Sequence, residues 1–350
     1  MFRYIGNKTK LLPFLVKEIK NNVSSGSSVV DLMAGTGSVS LALRKNGYHV
    51  IALDLMTYSK HHLVTQLLFK TPPAFHMLKN EISKNKDEPM YHAILRYLNT
   101  LTPKKGYFYH EFSPDGKPLN GTSSRKYFTS SNAKKIDSIR DKINNWKEKN
   151  LITDNEESVL KHTLIMAVNE VANISGTYGY FLSSFTRSSL NELLLSPVVF
   201  EKMGAIDHLV FQGFAEDLAS KITADLCYID PPYMKRQYAA NYHILETIAR
   251  GDCPEAIGKS GLRNWWDQHS KFCTKTKIRD SFEKVITTMN CPIFLISYSE
   301  DGLLSINELV LFFKKFGKVN VKNIEYARFR SNNSKLEKNL NEFIIKIIKH

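Results

Sequence analysis

The stretch with the most committed chemistry is Asp230-Pro231-Pro232-Tyr233, which directly follows the apolar run Asp225 to Ile229. Two consecutive prolines remove two backbone donors and fix φ, so the turn is rigid, its carbonyls are unpaired, and a carboxylate and an aromatic ring flank it. A planar heterocycle bearing an exocyclic amino group can use both features. It stacks on Tyr233 while its NH2 donates to the Asp230 carboxylate and the Pro231 carbonyl. The plainer reading is a stiff strand terminator followed by a surface tyrosine, and a second motif upstream weighs against it.

That second motif is Asp31-Leu-Met-Ala34-Gly35-Thr-Gly37-Ser38, with Asp54 seventeen residues beyond Gly37. A glycine turn between strand and helix lets the backbone approach a ligand closely, and a carboxylate at the end of the next strand can accept hydrogen bonds from ribose hydroxyls. The dinucleotide pattern GxGxxG would need glycine where Ser40 stands, so a nucleoside without phosphates fits better than a dinucleotide. S-adenosylmethionine is such a ligand. An ordinary tight turn with a solvated aspartate remains the alternative for this segment alone.

The elements that position these motifs follow from apolar patterning. Ser28 to Leu32 and Tyr48 to Leu53 are short buried-strand runs on either side of the glycine turn and a helix, a β-α-β opening. From about Tyr58 the texture turns polar and helical, with a loop over Pro103 to Ser124 and a basic amphipathic helix over Ser131 to Lys149. The strand rhythm returns at His208 to Gly213, Asp225 to Ile229, Pro292 to Ser297 and Glu342 to Ile348. These runs predict an α/β fold: a Rossmann-like, mostly parallel sheet with helices on both faces, interrupted by a mostly helical insertion. The expected division is residues 1–60 and 195–350 for the sheet domain and 61–194 for the insertion.

With 48 Lys plus Arg against 34 Asp plus Glu, the 350-residue chain carries +14, which suits a polyanionic partner. Residues 101–150 hold 11 basic and 5 acidic side chains, and residues 311–350 hold 10 and 3, although solvated surface would account for such a bias equally well. No apolar run approaches the roughly 18 to 20 residues that cross a bilayer, and Leu11 to Val16 is followed by Lys17, Glu18 and Lys20 rather than a cleavage site. Four cysteines without CxxC spacing argue for reduced thiols, so a soluble cytoplasmic protein without membrane association is expected. Eleven histidines show no HxH or HExxH spacing, and no metal is assigned.

Taken together, Tyr4-Ile-Gly6-Asn-Lys8 with Lys10-Leu-Leu-Pro13, the Asp31 to Ser38 turn with Asp54, Phe211 to Asp217, and Asp230 to Tyr233 carry a resemblance. The chain resembles the alpha-group, Dam-like S-adenosylmethionine-dependent DNA adenine N6-methyltransferases, and the likeness extends over most of its length. The resemblance implies that Tyr4 and Lys8 contact the cofactor, that Gly35 and Gly37 line it, and that Asp54 holds its ribose, with Asp31, Ala34 and Asp230 in the same set. Asp217 is expected to face the cofactor adenine, and Asp230, Pro231, Pro232 and Tyr233 to form the catalytic turn. The family's glycine turn is more usually led by an aromatic residue, where Leu32-Met33 stand here. The insertion is expected to be the target-recognition domain.

Candidate DNA contacts are Arg125, Lys126 and Tyr127, then Lys134 and Lys135 on the basic helix, Tyr178 in a Gly and Tyr loop, and Lys235, Arg236 and Tyr238 after the turn. The expected reaction is methyl transfer to an adenine flipped out of duplex DNA, since a stacked base cannot present N6 in line with a sulfonium methyl. The enzyme is expected to be a monomer and the modification partner of a restriction endonuclease. The alternatives are an RNA adenine or other amino-group methyltransferase, and a nucleic-acid-binding module without turnover. Related cytosine and glutamine enzymes usually begin the turn with Ser or Asn, whereas this chain has Asp230.

Overall fold

The aliphatic and β-branched runs become strands of one seven-stranded sheet. In chain order they are β1 (Ser28–Asp31), β2 (His49–Asp54), β3 (Leu209–Gln212), β4 (Leu226–Ile229), β5 (Ile293–Ser299), β6 (Gly317–Ala327) and β7 (Asn339–Lys349). Their spatial order is β3-β2-β1-β4-β5-β7-β6. The first five run parallel, and β7 pairs antiparallel with both β5 and β6. The computed structural model describes residues 8–120, 123–204, 207–327 and 339–350.

Register decides which side chains share a face. Val30, Cys227, Phe294 and Ile347 are successive cross-strand partners, as are Ile229, Ile296 and Ile345 one pleat further on. All are buried, and Phe282, Val285 and Ile286 of helix Ile278–Thr288 and Leu309 and Phe313 of helix Ile306–Phe313 join them in one core. The period of two sends Asp31, Tyr228, Ser297 and Glu342 to the opposite face. There helix Ser38–Lys45 packs through Ser40, whose hydroxyl donates to Asp31, and helix Leu12–Lys20 is tied down by Glu18 to Lys322. Helices on both faces make this a doubly wound sheet.

β1 is followed by a crossover to β2 on one side, while β4 lies on its other side and continues to β5. Adjacent strands whose connections leave in opposite directions open a crevice at their carboxyl ends, the position where α/β sheets hold ligands. Both sequence motifs follow those two strands.

The chain divides into two compact units. The sheet unit comprises Asn7–Leu63, Met203–Tyr238 and Gln268–His350. The other takes Val64–Lys202 together with Ala239–Asp267, so residues 239–267, grouped with the sheet in the sequence reading, cluster with the insertion. Helix His243–Arg250 explains this: Lys161 of helix Asp154–Val171 donates to Ala249 O at 2.7 Å, and His243 is fully buried against Tyr178 O at 2.9 Å. The unit's other longer helices are Met90–Asn99 and Ser130–Glu148.

Two elements depart from expectation. Within the stretch read as a loop lies helix Tyr107–Phe112, whose amino end is capped from another helix: Asp137 accepts from the backbone N–H groups of Gly106, Phe108 and Tyr109 at 2.8 to 3.0 Å. The sheet's outer strand β6 also escaped the apolar pattern, because an edge strand carries polar groups such as Lys318, Asn320 and Lys322 on its exposed positions.

Candidate active site

The glycine turn is built by bonds between two strand ends. Leu32 N donates to Tyr228 O at 3.0 Å, extending the pairing of β1 with β4, and Ala34 N donates to Leu53 O at 3.0 Å. The Asp54 carboxylate accepts from Gly35 N and from Met56 N, both at 2.8 Å. Gly35 (φ 55°) and Gly37 (φ 80°) are left-handed, a conformation that disfavours any residue with a Cβ, so the turn's inner edge is bare backbone. These two bonds fix the Asp54 carboxylate beside the turn. Bare backbone beside a fixed carboxylate suits a nucleoside sugar and its substituents, so this end of the crevice fits a methyl donor of that kind.

Asp31 lies underneath. It is 1% exposed, accepts from Ser40 Oγ at 2.6 Å, and burial pushes its carboxyl up to about 7. Placed there, Asp31 braces the turn from below and presents nothing to the crevice, which corrects its grouping with the cofactor contacts.

Across the crevice, the Asp230 carboxylate meets the Lys8 ammonium at 3.2 Å. Burial pushes the Asp230 carboxyl up to about 6, with Lys8 opposing and the Glu342 charge adding to the rise. Lys8 also contacts Glu342, a residue 1% exposed on β7, and Glu342 in turn accepts from Ser297 Oγ at 2.9 Å. Burial works against the Lys8 charge, but Asp230, Tyr233, Glu342 and Tyr228 together hold its pKa well above the ordinary lysine value. Pro231 is buried and Pro232 half-buried. Tyr233 is half-buried, its ring centroid 5.8 Å from that of Tyr298 and 5.5 Å from Lys8 Nζ, and its carbonyl accepts from Leu303 N at 2.9 Å. The site thus joins a half-buried, partly neutralised carboxylate to a braced aromatic ring. That pair can receive a flat group with N–H donors and stabilise positive charge developing on it.

Comparison with known proteins settles the class. The family model described as "D12 class N6 adenine-specific DNA methyltransferase" matches residues 4–312. The chain belongs to this family. It is 34% identical over 331 residues to type II methyltransferase M.NlaIII of Neisseria lactamica, covering 94% of this chain and 92% of that protein. It is 33% identical over 350 residues to modification methylase StsI of Streptococcus sanguinis and 34% over 356 residues to type II methyltransferase M.FokI of Planomicrobium okeanokoites, in each case covering 99% of this chain. It spans 51% and 52% of the length of those two proteins. As a D12 class enzyme, the protein is an adenine-specific DNA methyltransferase acting at N6, and the RNA, cytosine, glutamine and binding-module readings are not favoured.

The remaining expected site residues fall into three groups. Tyr4 lies outside the described residues. Asp217 is well exposed and pairs with Lys284 at 2.8 Å, which holds its carboxyl below the usual range. Lys235 and Arg236 are exposed and Tyr238 half-buried on the segment after the turn, where Gln237 and Ser270 exchange two hydrogen bonds at 3.0 and 2.9 Å.

Several expected DNA contacts are instead interior parts of the helical unit. Arg125 is fully buried, bonded to Glu111 Oε2 at 2.5 Å and to the carbonyls of Glu111, Ala256 and Gly258. Tyr127 is fully buried and donates to Tyr178 O at 2.8 Å, and Tyr178 is fully buried as well. Lys135 is buried and pairs with Glu192 at 2.8 Å. Arg125, Tyr127 and Tyr178 are corrected to structural roles, because a side chain fully buried and bonded inside the protein cannot also reach DNA, whereas Lys135 is paired with a carboxylate that is itself 66% exposed. Lys126 and Lys134 are half-buried, the first donating to Ser183 O at 3.2 Å and the second lying 5.2 Å over the Tyr109 ring. Exposed aromatic rings are found at Tyr180, stacked on Phe181, and at Trp266, stacked on Trp265. Sequence reasoning placed Ser297 and Glu342 only at the ends of strand runs and assigned neither to the site, since neither belongs to a motif.

Proposed function

We propose that this chain is a site-specific DNA methyltransferase that uses S-adenosylmethionine to methylate N6 of an adenine flipped out of duplex DNA. It serves as the modification member of a restriction-modification pair. The observation that carries the reading is the position of the Asp230-Pro-Pro-Tyr233 turn at the crevice between β1 and β4, opposite the turn braced by Asp54. The type II and modification methylases named among its relatives support the biological role.

In this reading Gly35 and Gly37 line the cofactor and Asp54 accepts from its ribose hydroxyls. When bound, the cofactor supplies an electrophilic methyl group on a sulfonium. Extrusion of a base costs a few kcal/mol, and stacking on Tyr233, worth about 1 to 3 kcal/mol, offsets much of it. The N6 hydrogens donate to the Asp230 carboxylate and the Pro231 carbonyl. Because the N6 lone pair is delocalised into the ring, these acceptors matter most as the nitrogen becomes pyramidal and gains positive charge, an interaction stronger in the transition state than before it. No covalent enzyme intermediate is needed: the N6–methyl bond would form as the sulfonium–methyl bond breaks to leave a neutral thioether, and the methylated nitrogen then sheds one proton to restore neutrality.

The helical unit is the target-recognition domain in this proposal, and the exposed Lys235 and Arg236 neutralise phosphates beside the extruded base. The enzyme acts in the cytoplasm as a monomer, alongside a cognate endonuclease.

The test is transfer of labelled methyl from S-adenosylmethionine to unmethylated genomic DNA, with RNA and protein as parallel acceptors and Asp230→Ala as control. N6-methyladenine in DNA, absent with Asp230→Ala, is the expected result. Label in RNA or protein would move the substrate, and DNA binding without any label would favour a binding module.

A further inference from the structure

β7 carries Phe343, Ile344, Ile345, Ile347 and Ile348, yet on its buried face stands Glu342, 1% exposed. A carboxylate in such a place is costly unless paired, so its partners indicate its use. They are the Ser297 hydroxyl at 2.9 Å and the Lys8 ammonium. Lys8 in turn reaches Asp230 at 3.2 Å and lies 5.5 Å from the Tyr233 ring centroid. One cation is therefore divided between two carboxylates, only one of which borders the crevice.

We propose that Glu342 is a positioning residue for methyl transfer: fixed by Ser297, it holds the Lys8 ammonium on the sheet side and so leaves Asp230 an oriented, incompletely neutralised acceptor. The inference rests on the reading of Asp230 as the acceptor of the N6 hydrogens. A lysine stem is flexible and its ammonium has three donors. Without Glu342 the ammonium turns wholly to Asp230, occupying the lone pairs that the base needs and lowering the carboxylate's acceptor strength. With Glu342 in place, part of the ammonium's charge and one of its donors are committed elsewhere.

Among the described residues, the titratable groups around Asp230 and its Lys8 partner are Asp31 at the end of β1, Tyr228 on β4, Tyr233 in the turn and Glu342 on β7. Removing the Glu342 charge leaves Lys8 as the dominant neighbour, so Asp230 loses its proton at lower pH. Removing Lys8 leaves two carboxylates together, and Asp230 loses its proton at higher pH.

The experiment measures single-turnover methyl transfer from labelled S-adenosylmethionine to saturating unmethylated genomic DNA across pH, for the full-length wild type, Glu342→Gln, Lys8→Met and Asp230→Asn. Glu342→Gln is expected to bind S-adenosylmethionine as wild type does, to turn over about tenfold more slowly at neutral pH, and to move the acid limb down by about half a pH unit or more. Lys8→Met is expected to move it up. An unmoved limb in Glu342→Gln, or movement of both variants in the same direction, overturns the proposal, because a merely structural role lowers the rate without opposite shifts. Should Glu342→Gln not fold, Glu342→Asp, which withdraws the carboxylate by one methylene, must show the downward shift in smaller measure, and an unmoved limb overturns the proposal equally. Wild-type turnover in Asp230→Asn defeats the reading of Asp230. An inactive Asp230→Asn beside a fully wild-type Glu342→Gln defeats only the role of Glu342.

Discussion

Asp31 closes β1 and Asp230 follows the neighbouring strand β4, and burial raises both carboxyls, yet among the described residues only Asp230 meets a cation, Lys8 at 3.2 Å. Asp31 has a hydroxyl, Ser40, and no opening to the crevice. Two acids of the same type on adjacent strands thus differ in partner and exposure, one closed against a hydroxyl and the other set beside an ammonium.

Activity should follow the ionisation of Asp230. Its carboxyl is raised to about 6, so the acceptor is protonated and ineffective below that pH and available above it. The rate of methyl transfer therefore rises with pH through about 6 and levels off, measured as single-turnover rate against pH with DNA and S-adenosylmethionine saturating. A rate that stays flat from about pH 5 to about pH 8 would count against Asp230 as the acceptor.

Asp230→Asn should separate chemistry from binding. The amide preserves size but loses the negative charge that stabilises the transition state, so turnover should fall by about 100-fold or more while duplex affinity stays within about threefold. Filter binding beside the labelled-methyl assay checks both, and a parallel loss of affinity would assign Asp230 to folding.

For stability, Asp31 provides a signed test. A folded-state carboxyl raised to about 7 from an ordinary 3.8 means that the folded protein holds a proton which the unfolded chain releases. Its contribution to stability is fully present below pH 3.8 and is lost as pH rises through about 7. Asp31→Asn keeps an acceptor for Ser40 without the charge, so it should be more stable than wild type at pH 8, by a few kcal/mol in order of magnitude, with the gain shrinking toward pH 4. Denaturant unfolding at the two pH values measures it, and a gain of equal size at both would remove the ionisation argument.

Arginines of the two units should respond in opposite ways. Arg125→Met strands the buried Glu111 carboxylate and is expected to cost about 3 to 5 kcal/mol of stability, without changing how DNA binding depends on salt once allowance is made for unfolded protein. Arg236→Ala, at an exposed position, should leave stability within about 0.5 kcal/mol and reduce the slope of log affinity against log salt by about one. Reversal of the two patterns would return Arg125 to the DNA surface.

Ligand contact at the glycine turn has its own signature. Asp54→Ala releases the N–H groups of Gly35 and Met56 as well as the acceptor offered to a ribose. Weakened S-adenosylmethionine binding, by about tenfold or more in calorimetry, is expected together with a modest loss of stability. Unchanged cofactor affinity would dissociate Asp54 from the ligand.

Much of this protein follows from sequence order alone, because the determinants are local. Consecutive prolines after an apolar run make Asp230 to Tyr233 a rigid turn in any fold, and left-handed glycines at 35 and 37 need no tertiary partner to be read. Strands β1, β2, β4 and β5 are near-continuous apolar runs because they lie inside the sheet with both faces largely buried, and edge strand β3 and strand β7 still carry enough apolar residues to be read, whereas the polar exposed positions of β6 blurred its pattern. Tertiary structure alone decided what a side chain meets across the chain. It brought Lys8 between Asp230 and Glu342, residues separated from it by most of the sequence, and buried Arg125 against Glu111 where a basic and aromatic cluster resembled a DNA contact. It capped helix Tyr107–Phe112 with Asp137 in a stretch whose glycines and prolines spoke for a loop. The physical reason is common to all three: the energy of a buried charge depends on the partners that the fold assembles around it, and neither composition nor spacing along the chain encodes them.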